Sequence, residues 1–181
     1  MREEFKNIEL KMVTKMMKVN YLAAVTLSRY IGEGMAKRKS GHIVNIVSVA
    51  GLFRVPVRTI YSASKYASTL FSASMRAEFK DLGISVTDIY TGYVQTNISR
   101  NALVGDGKAF GKLDENISSG MKVDDATRRM LKGIYYKHNR IMICDMKIKL
   151  AIFLSNLNSK LMGLFSKIKY KSQLKAMKKA K

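Results

Sequence analysis

Apolar residues recur at helical spacing near the start of the chain, as Ile8, Met12, Met16, Val19, Ala23, Leu27, Tyr30 and Ile31. The period predicts one long helix from Phe5 to Lys37. Lys37-Arg38-Lys39-Ser40-Gly41 then supplies cations for the last turn and a glycine breaker. The pattern changes at His42-Ile43-Val44-Asn45-Ile46-Val47, a short β-branched run that reads as a buried strand. Ser48 to Ile60 reads as a loop, with Ala50-Gly51 and Pro56 inside it. Tyr61 to Leu82 is helical again, and Ile84 to Tyr90 alternates as a strand. Thr91 to Gly120 is a long stretch containing glycine and asparagine, of the kind that often forms a mobile lid. Val123 to His138 predicts a third helix with Asp124 and Asp125 in its first turn, and Arg140 to Cys144 a third strand.

Helices alternating with short, nearly continuous apolar strands predict an α/β fold. Its expected form is a Rossmann-like parallel sheet with helices on both faces. Ligands of such sheets sit at the carboxyl ends of the strands. Those ends are Ser48, Thr91-Gly92 and Asp145, so the first two loops are nominated before any motif is considered.

Composition narrows the picture in a few places. The chain has 181 residues, 47% of them hydrophobic, enough for one packed domain. Its single cysteine, Cys144, excludes an internal disulfide framework and a cysteine-rich zinc site, and reads as a small core residue. No metal site is expected. The formal net charge is +20. Such an excess attracts anions, but part of it is local: residues 147–181 hold ten lysines and no acid. No zinc, homeodomain or RNA-motif signature accompanies the charge, so specific nucleic-acid binding is not expected. Met1 to Lys18 is charged throughout, so no cleavable signal is expected and the protein should not be secreted. No uncharged apolar run is long enough to span a bilayer.

The chemistry gathers around one spacing. Lys65 follows Tyr61 by four residues, which puts both on one helical face. A tyrosine hydroxyl, with its pKa of about 10, is a poor proton donor and acceptor near neutrality, and a nearby cation favours its phenolate. Such a group can exchange a proton with a carbonyl or alcohol oxygen, while a serine hydroxyl stabilises charge on that oxygen. Tyr-x-x-x-Lys alone merely decorates many helices. Ser48 at the preceding strand end is what makes the set specific.

Tyr61-Ser62-Ala63-Ser64-Lys65-Tyr66-Ala67 resembles the active-site signature of the short-chain dehydrogenase/reductase family. Ile43 to Gly51 resembles the family strand that delivers the catalytic serine, with the usual gap of twelve residues between Ser48 and Tyr61. Val19-Asn20-Tyr21 matches the Asn-bearing helical segment, and Thr91-Gly92-Tyr93-Val94-Gln95-Thr96 the Pro-Gly-x-x-x-Thr loop, with Thr91 in place of proline. From Thr91 through Asn97 and Asn101-Ala102, and in its basic end, the chain most resembles the branch called family member 7B. The resemblance implies a catalytic set of Asn20, Ser48, Tyr61 and Lys65. Asn20 would support a water-linked proton relay, Ser48 orient the substrate oxygen, Tyr61 act as acid–base, and Lys65 lower the pKa of Tyr61 and bind the nicotinamide ribose. Tyr61, Lys65, Thr91, Gly92, Val94 and Thr96 would contact the cofactor. The implied reaction is hydride transfer between NAD(P)(H), NADP(H) more than NAD(H), and a hydrophobic, lipid-like ketone or secondary alcohol. The implied location is intracellular, at an endoplasmic reticulum or peroxisomal membrane, and a homo-oligomer is compatible with it.

The family's opening strand, Gly-rich turn and helix are not visible. Gly105-Asp106-Gly107 does not follow a strand and is no phosphate fingerprint. Residues 1–146 therefore read as a partial catalytic domain without a host for the pyrophosphate. A fragment of a longer enzyme, a truncated non-catalytic protein acting at a membrane or on a partner, and a second chain supplying the missing half are all open. Residues 147–181 form a separate basic segment. Its stripe of Leu150, Leu154, Leu157, Leu161, Leu164 and Ile168, widened by Phe153 and Phe165, suits a helix packed on the domain or one lying on an anionic membrane surface.

Overall fold

The computed structural model describes residues 1–157, 163 and 166–174. Helix α1 spans Leu10–Met17 and continues through a π-helical turn, Lys18–Leu22, into α2, Ala23–Lys37. Strand β1 is Gly41–Ser48, helix α3 Thr59–Lys80, and β2 Ile84–Thr91. A four-residue helix α4, Glu115–Ser118, precedes α5, Val123–Tyr135, which leads into β3, Arg140–Ile143, and then α6, Met146–Leu157. The three strands form one parallel sheet in the order β1-β2-β3, and the register sets Ser48 beside Thr91. The expected Rossmann-like arrangement is present.

Both sheet faces are covered. On one face Ile89, Ile141 and the fully buried Ile143 pack against Ala126, Met130 and Ile134 of α5. Burying each such side chain stabilises the fold by about 1.5–3 kcal/mol. On the other face α3 lies over β1 and β2, where Asn45 Nδ2 donates to Ser72 Oγ at 2.7 Å and Arg76 Nη2 pairs with Asp88 at 2.6 Å. Near the carboxyl ends, Val47, Val49, Tyr90 and Cys144 form a cluster with Phe53, Ile148 and Ile152. Cys144 is a core residue, and burial pushes its thiol pKa up.

Three expectations need correction. The first helix starts at Leu10, not Phe5: Phe5–Asn7 make a single 3₁₀ turn, and Ile8 and Glu9 are extended. Long-range bonds override the local pattern, as Arg2 N donates to the Leu103 carbonyl, Glu3 N to Val57 and Glu9 N to Gly105. The apolar stripe also splits at the π turn. Met12 and Met16 are buried, whereas Val19, Leu27, Tyr30 and Ile31 face outward and Ser28 and Gly32 face the domain. The π turn carries one extra residue per turn, which re-phases the face that follows it. The stretch from Thr91 to Gly120, read as one long loop, is internally bonded: it contains α4, a 3₁₀ turn at Asn97–Ser99 and bridges pairing Val94 with Met121 and Leu103 with Ala109.

In α6, Ile148 and Ile152 pack on the core while Met146, Leu150, Phe153 and Leu154 are exposed. Further along, Lys169 Nζ lies 5.4 Å from the Phe53 ring centroid, and the Tyr170 hydroxyl bonds Glu4. Leu161, Leu164 and Phe165 of the predicted stripe lie outside the described residues. No described helix is long and apolar enough to cross a membrane.

Candidate active site

Ser48 closes β1 and is buried. Its Oγ accepts from Ala50 N at 3.2 Å and donates to the Thr91 carbonyl at 3.3 Å, which fixes the hydroxyl between two strand ends. Thr91, standing where the family has proline, ends β2, and its Oγ1 donates to the Val47 carbonyl at 3.1 Å. Gly92 follows, with its N–H on the Ile143 carbonyl at 2.8 Å. A Cβ there would meet the Cβ of Cys144 at 2.9 Å, so the chain can pass β3 this closely only without a side chain.

Tyr61 sits in the first turn of α3, and Asn20 in the π turn facing it. Irregular helical turns of this kind mark many functional sites. A serine row on α3 joins the two elements. Ser64 Oγ accepts from Asn20 Nδ2 at 3.0 Å and donates to the Tyr61 carbonyl at 2.7 Å. One turn later, Ser68 Oγ donates to the Asn20 carbonyl at 2.8 Å. The side-chain amide and main-chain carbonyl of Asn20 are thereby both anchored to the helix that carries Tyr61.

Asn20, Ser48, Tyr61, Thr91 and Gly92 line one cavity of about 570 Å³. Lys65 does not line it. Its ammonium donates to the Ile46 carbonyl at 3.1 Å, and burial lowers its pKa. Val94 packs against the buried cluster of Ile89, Ala126, Ile141 and Ile143, and Thr96 Oγ1 accepts from Ile98 N at 3.4 Å, capping the turn at Asn97–Ser99.

The cavity also contains residues that no motif announces. Met16, Val49, Phe53, Leu103, Phe110 and Ile117 make its wall apolar. Asp114, 6% exposed, accepts from Arg2 Nη1 at 2.6 Å and Arg58 Nη2 at 3.5 Å, drawing the long connection against the N-terminal segment and the start of α3. The partners are 112 and 56 positions apart in sequence, a separation no local pattern encodes. Lys169 enters from the C-terminal segment, and burial lowers its pKa with help from the Arg58 charge. Among the described residues no cluster of acids, histidines and cysteines could hold a metal.

The nicotinamide end of a dinucleotide suits this geometry in part. Gly92, Tyr61 and Ser48 line the cavity together, and the last two are hydroxyl-bearing residues. Lys65 would have to leave Ile46 to reach a ribose, and no Gly-rich turn after a described strand offers itself to the phosphates.

Residues 1–105 match the model of the short chain dehydrogenase family. "Dehydrogenase/reductase SDR family protein 7-like" of Drosophila melanogaster is 42% identical, covering 79% of this chain and 44% of its own length. "Dehydrogenase/reductase SDR family member 7B" of Mus musculus is 35% identical, covering 85% and 47%. The chain thus spans about half the length of the curated relatives it matches. A short chain dehydrogenase from Burkholderia cenocepacia solved with NADP superimposes with a TM-score of 0.69 at 18% identity, covering 87% of this chain and 60% of that one. One from Sphingobium yanoikuyae solved with NADPH gives 0.68 at 22% identity, covering 90% and 59%. At such identities the two structures speak for the fold, while the family match and the relatives in fly and mouse settle the lineage: the chain belongs to the short-chain dehydrogenase/reductase family, on the side of its member 7B branch.

Proposed function

We propose that this chain carries the proton-transfer half of a nicotinamide-dependent carbonyl reductase or alcohol dehydrogenase. The observation behind the reading is the convergence of Asn20, Ser48 and Tyr61, from three separate elements, on one apolar cavity. NAD(P)(H), with NADP(H) preferred, would supply the hydride. Ser48 Oγ would hold the substrate oxygen, and the Tyr61 hydroxyl would exchange a proton with it. Asn20 and Ser64 would fix the helix that presents Tyr61, and Lys65 would turn from Ile46 toward the ribose. Gly92, Thr91, Val94 and Thr96 would carry the loop under the nicotinamide, Val94 and Thr96 from behind. Phe53, Leu103, Phe110 and Ile117 suit a hydrophobic, lipid-like ketone or secondary alcohol. The exposed Leu27, Tyr30, Ile31, Tyr66 and Leu70 suit a homo-oligomeric contact.

One observation favours a non-catalytic, partner-binding role instead: Lys65 is engaged with a main-chain carbonyl and does not line the cavity. Reduction of hydrophobic ketones with NADPH, by the protein at its full natural length, separates the two. Tyr61→Phe is expected to lower turnover by about 10²–10⁴-fold. Equal turnover by the variant overturns the assignment. The 181-residue chain alone is expected to bind NADPH and NADH weakly, and tight saturable binding would overturn that expectation.

A further inference from the structure

Three helices end on the side of the sheet opposite Ser48 and Tyr61. α2 passes to β1 through Arg38-Lys39-Ser40, α3 to β2 through Asp81-Leu82-Gly83, and α5 to β3 through Tyr136-Lys137-His138-Asn139. The parallel order β1-β2-β3 sets these turns side by side, and they touch. A Cβ on Gly83 would run into the Lys39 carbonyl. The Thr87 hydroxyl lies 2.8 Å from His42 Nε2 and donates to the His138 carbonyl at 2.8 Å.

Each turn places one residue in the left-handed region: Lys39 at φ 51°, Gly83 at 70° and Lys137 at 51°. Glycine is the usual occupant just past a helix end, and the middle turn has it. The outer two hold lysine at a local backbone cost. The helix dipoles do not require this. Lys37, in the last turn of α2, already meets the carboxyl end and pairs with Glu33, and Lys132 stands in the last turn of α5. Lysine at two strained, equivalent positions points to use of the ammonium groups themselves.

The surface fits one kind of partner. Lys39, Lys80 and Lys137 are exposed and make no ion pair among the described residues, and Asp81 is the one acid in the three turns. Tyr135 and Tyr136 are 80% and 60% exposed beside them. Tyr136 stacks on His138 with centroids 6.0 Å apart and makes an edge contact with Tyr135. Unpaired lysines flanking exposed tyrosines suit lipid headgroups. We propose that this basal face docks on an anionic bilayer surface, with Lys39, Lys80 and Lys137 over the headgroups and Tyr135 at the interface. The exposed row of α6 follows the carboxyl end of β3 and lies at the other end of the strands, so the two surfaces can be tested separately.

Flotation of the whole chain with phosphatidylserine–phosphatidylcholine vesicles, against phosphatidylcholine alone, decides the matter. The chain is expected to float only with the anionic vesicles, less so as salt rises. K39G/K137G is expected to lower partition about twenty-five-fold, at about fivefold per lysine, while its melting temperature holds or rises. Phe153→Glu, on α6, should leave flotation unchanged. Failure of the parent chain to float, or a K39G/K137G chain that floats like the parent, overturns the proposal. Loss confined to Phe153→Glu also overturns it and moves the contact to 147–181. Preference for a single-stranded oligonucleotide over the vesicles overturns it in favour of nucleic acid. None of these outcomes depends on hydride transfer.

Discussion

Replacing Asp114 by Asn removes one charge from the cavity wall and changes almost nothing else. The side chain is 5% exposed, with one oxygen 2.6 Å from Arg2 Nη1 and 3.5 Å from Arg58 Nη2. The other oxygen accepts from Asn116 N at 3.0 Å and caps α4, a role Asn can keep. Breaking a fully buried pair costs about 3–5 kcal/mol. Here the arginine side chains are 14% and 23% exposed, so water can recover part of that. One strong charge-assisted bond, about 1.5–3 kcal/mol, is the better guide, and the expected loss is about 2–3 kcal/mol. Asp114→Ala also removes the cap, adding about 1 kcal/mol. Urea unfolding followed by circular dichroism measures both, and Tm should fall by roughly 5–10 °C for Asp114→Asn. Because Asp114 ties the 97–120 connection to Arg2 and Arg58, trypsin should cut at Arg100 and Lys108 sooner in the variant. An Asp114→Asn chain within about 0.5 kcal/mol of the parent, or one indistinguishable from Asp114→Ala, refutes the ion-pair account.

Three further substitutions probe the frame around the cavity. Arg76→Met leaves the Asp88 carboxylate, 1% exposed, without its cation and strips a donor from the Val86 and Asn139 carbonyls, so about 3–5 kcal/mol should be lost in urea unfolding. Gly92→Ala sets a Cβ 2.9 Å from that of Cys144 and should cost about 1–3 kcal/mol, relieved by Cys144→Gly but not by Cys144→Ala, as read by Tm. Burial holds the Lys65 ammonium below its usual pKa, so between that lowered value and about 10.5 the unfolded chain binds the extra proton. Stability from this group therefore rises with pH across that window. Lys65→Met should remove that part of the alkaline slope when urea midpoints are compared across pH.

What could be read from the sequence follows how local each signal is. The strands sit within two residues of their expected positions because β-branched runs bounded by turn residues need no distant partner. Tyr61 and Ser48 were legible from spacing and strand ends, Asn20 only through the family resemblance, and the topology then carries all three to one cavity. The start of α1 was not legible, since bonds from Arg2, Glu3 and Glu9 to Leu103, Val57 and Gly105 decide it. Nor was the outward turn of Leu27 and Tyr30, because nothing in Lys18 to Leu22 signals a π turn. Arg2, Arg58 and Asp114 were invisible for the same reason. An ion pair that closes over 112 positions leaves no periodic trace.

The placement of Lys65 follows from the edge of the sheet. Asp88 N and Gly92 N donate to Asn139 and Ile143, so the even-numbered amides of β2 face β3 and the odd-numbered ones face β1. In the observed register, the odd-numbered groups of β1 then face β2, and the even-numbered ones, Ile46 among them, face the side that no described strand covers. The Ile46 carbonyl is therefore an open acceptor within reach of α3, and a half-buried ammonium is stabilised by taking it. Asn20 has no such freedom, because Ser64 and Ser68 tie its side-chain amide and main-chain carbonyl to α3. Of the four side chains in the signature, the one that departs from the cavity is the one whose nearest competing partner lies on that uncovered edge. A strand paired against β1 would take the Ile46 carbonyl and leave the Lys65 ammonium without this acceptor.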